Sequence, residues 1–144
     1  RRLLDWCGFP GMKVLTFGFD SDESNPHFIG HYQKNTVAYT GTHDNDTTLG
    51  WAQKADPKVL AFAEKTLGFS GAEQAPEALI RALFQCPCDT VIIPMQDILG
   101  LDGSARMNYP GTIGGNWLWR MKPDQLSLDL SMKYYRLNKE TERG

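Results

Sequence analysis

With 144 residues, 41% of them hydrophobic, the chain has the size of one domain built on one core. Its net charge is −2, and Lys and Arg are scattered rather than clustered, so no face is built to neutralise a run of phosphates and nucleic acid is not an expected partner. No apolar run approaches the ~20 residues of a membrane span, and Arg1-Arg2-Leu3-Leu4-Asp5-Trp6 lacks the apolar stretch of a signal peptide, so a soluble, cytoplasmic protein with no membrane partner is expected.

Residues 1–9 read as the end of a helix leading into a strand. The first strand follows at Met12-Lys13-Val14-Leu15-Thr16-Phe17, the second at Thr36-Val37-Ala38-Tyr39-Thr40, and the third at Thr90-Val91-Ile92-Ile93-Pro94. Each is rich in β-branched or aromatic residues and closes on polar or turn-forming ones. Pro94 has no N–H for a ladder, so the third strand should end there. The 18 residues from Gly18 to Asn35 are long enough for a parallel crossover, yet too broken by proline and glycine for a full helix. Asp56-Pro57 starts a helix whose apolar face is Val59, Leu60, Ala63 and Leu67, and Gly68 stops it. A second helix begins near Pro76, carries Leu79, Ile80, Leu83 and Phe84, and ends before Pro87. A third spans Ser127 to Glu142 with Leu128, Met132 and Tyr135 along one face and a charged, fraying end.

This order is that of an α/β protein with parallel strands. Three such strands leave two raw edges, and parallel sheets are normally buried on both faces. The expectation is therefore the final part of a longer α/β chain. The cysteines, Cys7, Cys86 and Cys88, are too few and odd in number for a disulfide scaffold. A metal site joining them to His27 and His31 is disfavoured because Pro26 and Gly30 oppose the helix that would align the ligands. Buried free thiols and loop histidines are expected instead.

Working residues in parallel α/β sheets gather in the loops at the carboxyl ends of the strands. Three acids stand there: Asp20, Asp44 beside His43, and Asp97. Asp46 and Asp97 could simply cap the helices that follow. His43-Asp44-Asn45-Asp46 holds more polar groups than one cap needs, and such groups near a strand end cost stability unless something uses them. Further on, residues 104–120 mix glycines, amides and the tryptophans Trp117 and Trp119. Sugars need that mixture, having apolar ring faces and a rim of hydroxyls. The tryptophans could equally pack on the sheet as a lid over the core.

Gly11-Met12-Lys13-Val14-Leu15, Tyr39-Thr40-Gly41-Thr42-His43-Asp44-Asn45-Asp46-Thr47, Pro94-Met95-Gln96-Asp97, Ala105-Arg106-Met107-Asn108, Gly115-Asn116-Trp117 and Trp119-Arg120 together resemble the C-terminal part of the 4-α-glucanotransferases (amylomaltases, disproportionating enzymes) of glycoside hydrolase family 77. The resemblance runs from about Gly8 to Arg120 and rests on the ordered set of motifs. It implies the last three βα units of a (β/α)8 barrel, incomplete here because such a barrel takes roughly 250 residues. Residues 1–144 would then be part of one catalytic domain, with 127–144 as terminal helix and tail. It also implies a retaining transfer of a segment of an α-1,4-glucan donor to an acceptor glucan, with no cofactor and no metal. By that resemblance Asp44 is the third carboxylate of the site, with His43, Asp20 and Asn108 holding the glucans. The nucleophile and the acid/base lie on earlier strands of the family, so this chain alone is expected to be inactive. A plastid location is implied if the source is a plant or alga. Two other readings remain at this stage: a non-catalytic glucan-binding module, and a different α/β hydrolytic enzyme. The absence of a Ser or Cys in a nucleophile-elbow setting lowers the second.

Overall fold

The computed structural model describes residues 2–143. Three strands, β1 (Gly11–Val14), β2 (Thr36–Tyr39) and β3 (Thr90–Ile92), form one parallel sheet in the order β1-β2-β3. Lys13 lies opposite Ala38, and Ala38 opposite Val91. Among the described residues six α-helices accompany them: α1 (Arg2–Cys7), α2 (Thr48–Lys54), α3 (Pro57–Leu67), α4 (Ala75–Gln85), α5 (Met95–Ile98) and α6 (Leu128–Glu140).

All three strands are shorter than the expected runs. The first gives way at Leu15 to a 3-10 turn through Phe19. The cause is packing: Gly18 lies so close to the next segment that a Cβ there would stand 2.6 Å from the His27 carbonyl oxygen, and the turn buries Leu15, Thr16 and Phe19. The crossover from β1 to β2 carries only short 3-10 turns, as its prolines and glycines require. β3 stops at Ile92, and Pro94 stands just before α5 rather than in the ladder.

The core lies between one face of the sheet and helices α2 to α4. Ala38 and the partly buried Val91 meet Leu15, Phe19, Ala52, Ala63, Leu79 and Leu83 there. α3 begins and ends as its sequence dictates. The Asp56 carboxylate accepts from the Lys58 N–H at 2.8 Å, Pro57 takes the first turn, and Gly68 closes the helix with φ +71°. On the opposite face of the sheet Met12 and Ile92 are exposed and Val37 and Tyr39 partly so, while Val14 on the same face is 2% exposed.

α6 forms where expected but presents a different face. Leu137 is buried and Leu130 and Tyr134 are half-buried, whereas Leu128, Met132 and Tyr135 are exposed. The choice follows the partner. Tyr134 meets the Phe84 ring on α4, and the ion pairs Lys133–Glu77 (3.0 Å) and Arg81–Glu140 (3.2 Å) join the two helices, fixing α6 about its axis. Beyond it, the Arg143 guanidinium donates to the carbonyls of Phe84, Cys86 and Cys88, satisfying orphan acceptors in the last turn of α4 and just past it.

The thiols divide. Cys86 and Cys88 are buried, but Cys7 on α1 is exposed, contrary to the expectation that all three would be interior. Burial, followed by the neighbouring Cys86 thiol, pushes Cys88 up to about 12, which keeps it from forming a thiolate. Alkylation of the folded chain at neutral pH should therefore label one cysteine rapidly and three only after denaturation. Rapid labelling of all three by mass spectrometry would contradict this packing.

Candidate active site

The loop after β2 is organised by its own polar side chains. Asn45 Oδ1 accepts from the Thr42 N–H and from Thr42 Oγ1, both at 2.8 Å, and the Asn45 N–H returns to the Thr42 carbonyl at 3.0 Å. This closed turn is an Asx-type device in which side chains replace a ladder. It leaves His43 and Asp44 at the tip, with side chains 55% and 50% exposed.

The helix after the turn is started by Thr47, whose hydroxyl accepts from the Gly50 N–H at 3.0 Å. The first-residue amide of α2, on Thr48, donates instead to Asp97 Oδ1 at 2.8 Å. Asp97 belongs to α5, after β3, and is 2% exposed. Its other oxygen accepts from Thr40 Oγ1 at 2.5 Å, and the Thr48 hydroxyl adds a third donor at 3.0 Å. Asp97 thus ties the end of β2 and the start of α2 to α5, and does not cap its own helix as the sequence suggested. Asp46 does not cap either. Its carboxylate pairs with Lys54 at 2.6 Å and accepts from the Thr47 N–H. It fits there because Gly50 lacks a Cβ, which would otherwise stand 2.4 Å from Asp46 Oδ1 and 2.8 Å from the Gly103 nitrogen.

A second loop, after α5, meets the first. Asn108 Nδ2 donates to Asp44 Oδ1 at 2.6 Å, the Asn108 N–H donates to the His43 carbonyl at 3.1 Å, and Arg106 donates to the Asp44 carbonyl at 2.5 Å. Arg106 also donates through Nε to the Asn108 carbonyl at 2.8 Å, and its guanidinium lies 4.5 Å from the centre of the Tyr109 ring. His43 Nε2 stands 3.3 Å from Asp44 Oδ1. Asp44 Oδ2 meets no donor among the described residues. The Trp117 ring packs on His43 with centroids 5.0 Å apart. A pocket of about 230 Å³ opens between these loops, lined among others by His43, Asp97, Arg106, Met107 and Trp117.

Of the four residues singled out from sequence, three come together: Asp44, His43 and Asn108. Asp20 stands at the end of the 3-10 turn after β1, exposed, where it accepts from the Asn25 side-chain amide. No hydrogen bond joins it to the other three among the described residues. Trp117 is 52% exposed and Trp119 half-buried, so neither is a lid over the core. Sequence reasoning missed Asn45, whose Thr-x-x-Asn spacing was a readable turn signal. It also missed the role of Arg106, which acts on a carbonyl 62 positions away and left no local trace.

Chemically, the arrangement is a carboxylate with one oxygen fixed by an amide and the other open to a ligand, flanked by an imidazole and an aromatic face. Residues 1–127 match the family model described as 4-alpha-glucanotransferase, glycoside hydrolase family 77, and the chain belongs to that family. It is similar to the 4-alpha-glucanotransferase of Thermus thermophilus, 42% identical over 150 residues covering 99% of this chain and 30% of the relative. That of Synechocystis sp. is 48% identical over 128 residues, 88% of this chain and 25% of the relative. Among solved structures, the amylomaltase from Streptococcus agalactiae in complex with acarbose superposes with a TM-score of 0.93 at 37% identity, over 99% of this chain and 29% of that one. The chain thus spans 25% to 30% of the length of these relatives.

Burial raises the Asp97 acid above the usual aspartate value of 3.8, and hydrogen bonds from Thr40 and Thr48 oppose that rise. A raised acid contributes stability below its unfolded value, and that contribution is lost as pH rises through the folded value. An asparagine amide at this position has no charge to bury at neutral pH. Asp97→Asn, which keeps an acceptor for Thr48, should unfold within about 1 kcal/mol of the parent at pH 7, while Asp97→Ala, leaving buried donors unpaired, should lose about 1–3 kcal/mol. Urea denaturation distinguishes the two, and equal losses would refute the assignment.

Proposed function

We propose that this chain supplies the C-terminal three βα units of a (β/α)8 barrel, with β1, β2 and β3 as its sixth, seventh and eighth strands and residues 127–144 as terminal helix and tail. The barrel belongs to a 4-α-glucanotransferase acting on α-1,4-glucans in starch or maltodextrin metabolism, in the cytoplasm, or in the plastid if the source is a plant or alga. Both donor and acceptor are maltooligosaccharides, and the transfer needs neither cofactor nor metal. The single observation that carries the reading is the Asp44 carboxylate at the carboxyl end of β2, half-exposed, oriented by Asn108 and engaged in no helix cap.

Retaining transfer breaks a glycosidic bond through an oxocarbenium-like transition state, forms a glycosyl-enzyme intermediate, and passes the glycosyl group to a second sugar's hydroxyl. The nucleophile and the acid/base come from outside these residues. Asp44 acts on the charge. As the anomeric carbon becomes cationic, the hydroxyls of the reacting ring grow more acidic, so an ionised carboxylate accepting from them binds the transition state more tightly than the ground state. Asn108 supports this by holding Oδ1, so that Oδ2 can face the sugar without reorganisation. His43, beside it, offers a further contact to a hydroxyl. Asp20 and Asn108 hold donor and acceptor glucans.

The test is a chimera in which this segment replaces the matching segment of the Thermus thermophilus relative. The chimera should release glucose from maltotriose, and Asp44→Asn within it should lower kcat on the order of a hundredfold or more, as loss of a charge-assisted contact in a dry site does. Undiminished turnover in the variant would remove Asp44 from the mechanism. The 144-residue chain on its own should release no glucose from maltotriose; detectable release by the pure chain would overturn the division of catalytic groups.

A further inference from the structure

We infer that Trp117 is an aromatic platform for the apolar face of a glucosyl ring bound beside Asp44, an inference that rests on the function proposed above. The first ground is backbone geometry. Trp117 has φ +64°, in the left-handed region that a bulky L-residue rarely adopts and that persists only where its surroundings enforce it. Those surroundings are identifiable. Its N–H donates to the Met107 carbonyl at 2.7 Å, its carbonyl accepts from Arg120 at 2.8 Å, and the preceding Asn116 accepts from the Tyr109 N–H at 2.9 Å. The segment before it turns on Gly114 and Gly115, with φ +81° and +73°.

The second ground is what the strained backbone achieves. Burial does not explain it, since the ring remains 52% exposed. The backbone instead sets the indole against the His43 ring at 5.0 Å, as part of the lining of the pocket that also contains His43 and Met107. The same His43 imidazole has its Nε2 3.3 Å from Asp44 Oδ1, so the flat face and the carboxylate both neighbour one ring. A pyranose needs both: C–H groups on its faces pack on an aromatic plane, while its hydroxyls seek acceptors. Asp44 supplies charge and Trp117 supplies position.

Two substitutions in the same chimera separate the ring from the backbone. Trp117→Gly removes the ring and adopts φ +64° without strain, so a loss there cannot come from a distorted loop. Trp117→Phe keeps a flat face on the strained backbone. With a maltodextrin donor and glucose as acceptor, Trp117→Gly should raise KM on the order of tenfold with a smaller effect on kcat, and Trp117→Phe should stay within about threefold of the parent. A parental KM in the Gly variant, or equal losses in Gly and Phe, would overturn the platform while leaving the transferase reading intact. An inactive parent chimera would overturn both.

Discussion

The buried carboxylate of Asp97 is the contact on which the geometry of the site depends. It has two oxygens and three donors: the Thr40 hydroxyl at the end of β2, and the amide and hydroxyl of Thr48 at the start of α2. Those donors bracket the loop that carries His43 and Asp44, so one side chain from the next βα unit fixes both ends of that loop. The interior of the loop is then closed by Asn45 and Thr42. With ends and middle held, the tip has little conformational freedom left to lose.

A second coupling runs between the tip and the loop after α5. Arg106 and Asn108 reach the carbonyls of Asp44 and His43, and the Asn108 amide reaches the Asp44 carboxylate. Arg106 suits the task because a planar guanidinium can serve two carbonyls at once while it lies on the Tyr109 ring. The consequence is that neither loop defines the pocket alone. Its walls come from both, and the Trp117 segment is hydrogen-bonded to the same Met107–Tyr109 stretch.

Local chemistry was readable in the sequence, and choices made by distant partners were not. Asp56-Pro57 and Gly68 bounded α3 because capping and left-handed closure are properties of neighbouring residues. The exposed placement of Asp44 and His43 just after β2 was legible for a similar reason: a polar cluster larger than any cap requires, at a strand end. The residues misread were those whose roles come from elsewhere. Asp97 looked like a cap for its own helix and instead serves α2, across 49 positions. α6 has apolar residues on two faces, and only the position of α4 decided that Leu137 turns in and Met132 out. β1 ended early because Gly18 had to pass the His27 backbone, a close approach that no propensity reports.

The open side of the sheet follows from the same register that builds the core. Ala38 and Val91 point to the helices, so their alternating neighbours Val37, Tyr39 and Ile92 must point to the other side. On that side Met12 and Ile92 are exposed, whereas Val14 at the end of β1 is buried. A parallel sheet is stable when both faces are covered, and curling into a barrel covers the inner face with side chains from the other strands. The exposed strand residues thus have the composition an inner barrel face needs, which supports the proposed barrel on grounds separate from the site. It also gives the site its direction. Loops leaving the carboxyl ends of β2 and β3 converge, and that convergence sets the Asn108 amide on the Asp44 carboxylate and the Trp117 ring on His43, at the edge of a pocket of about 230 Å³.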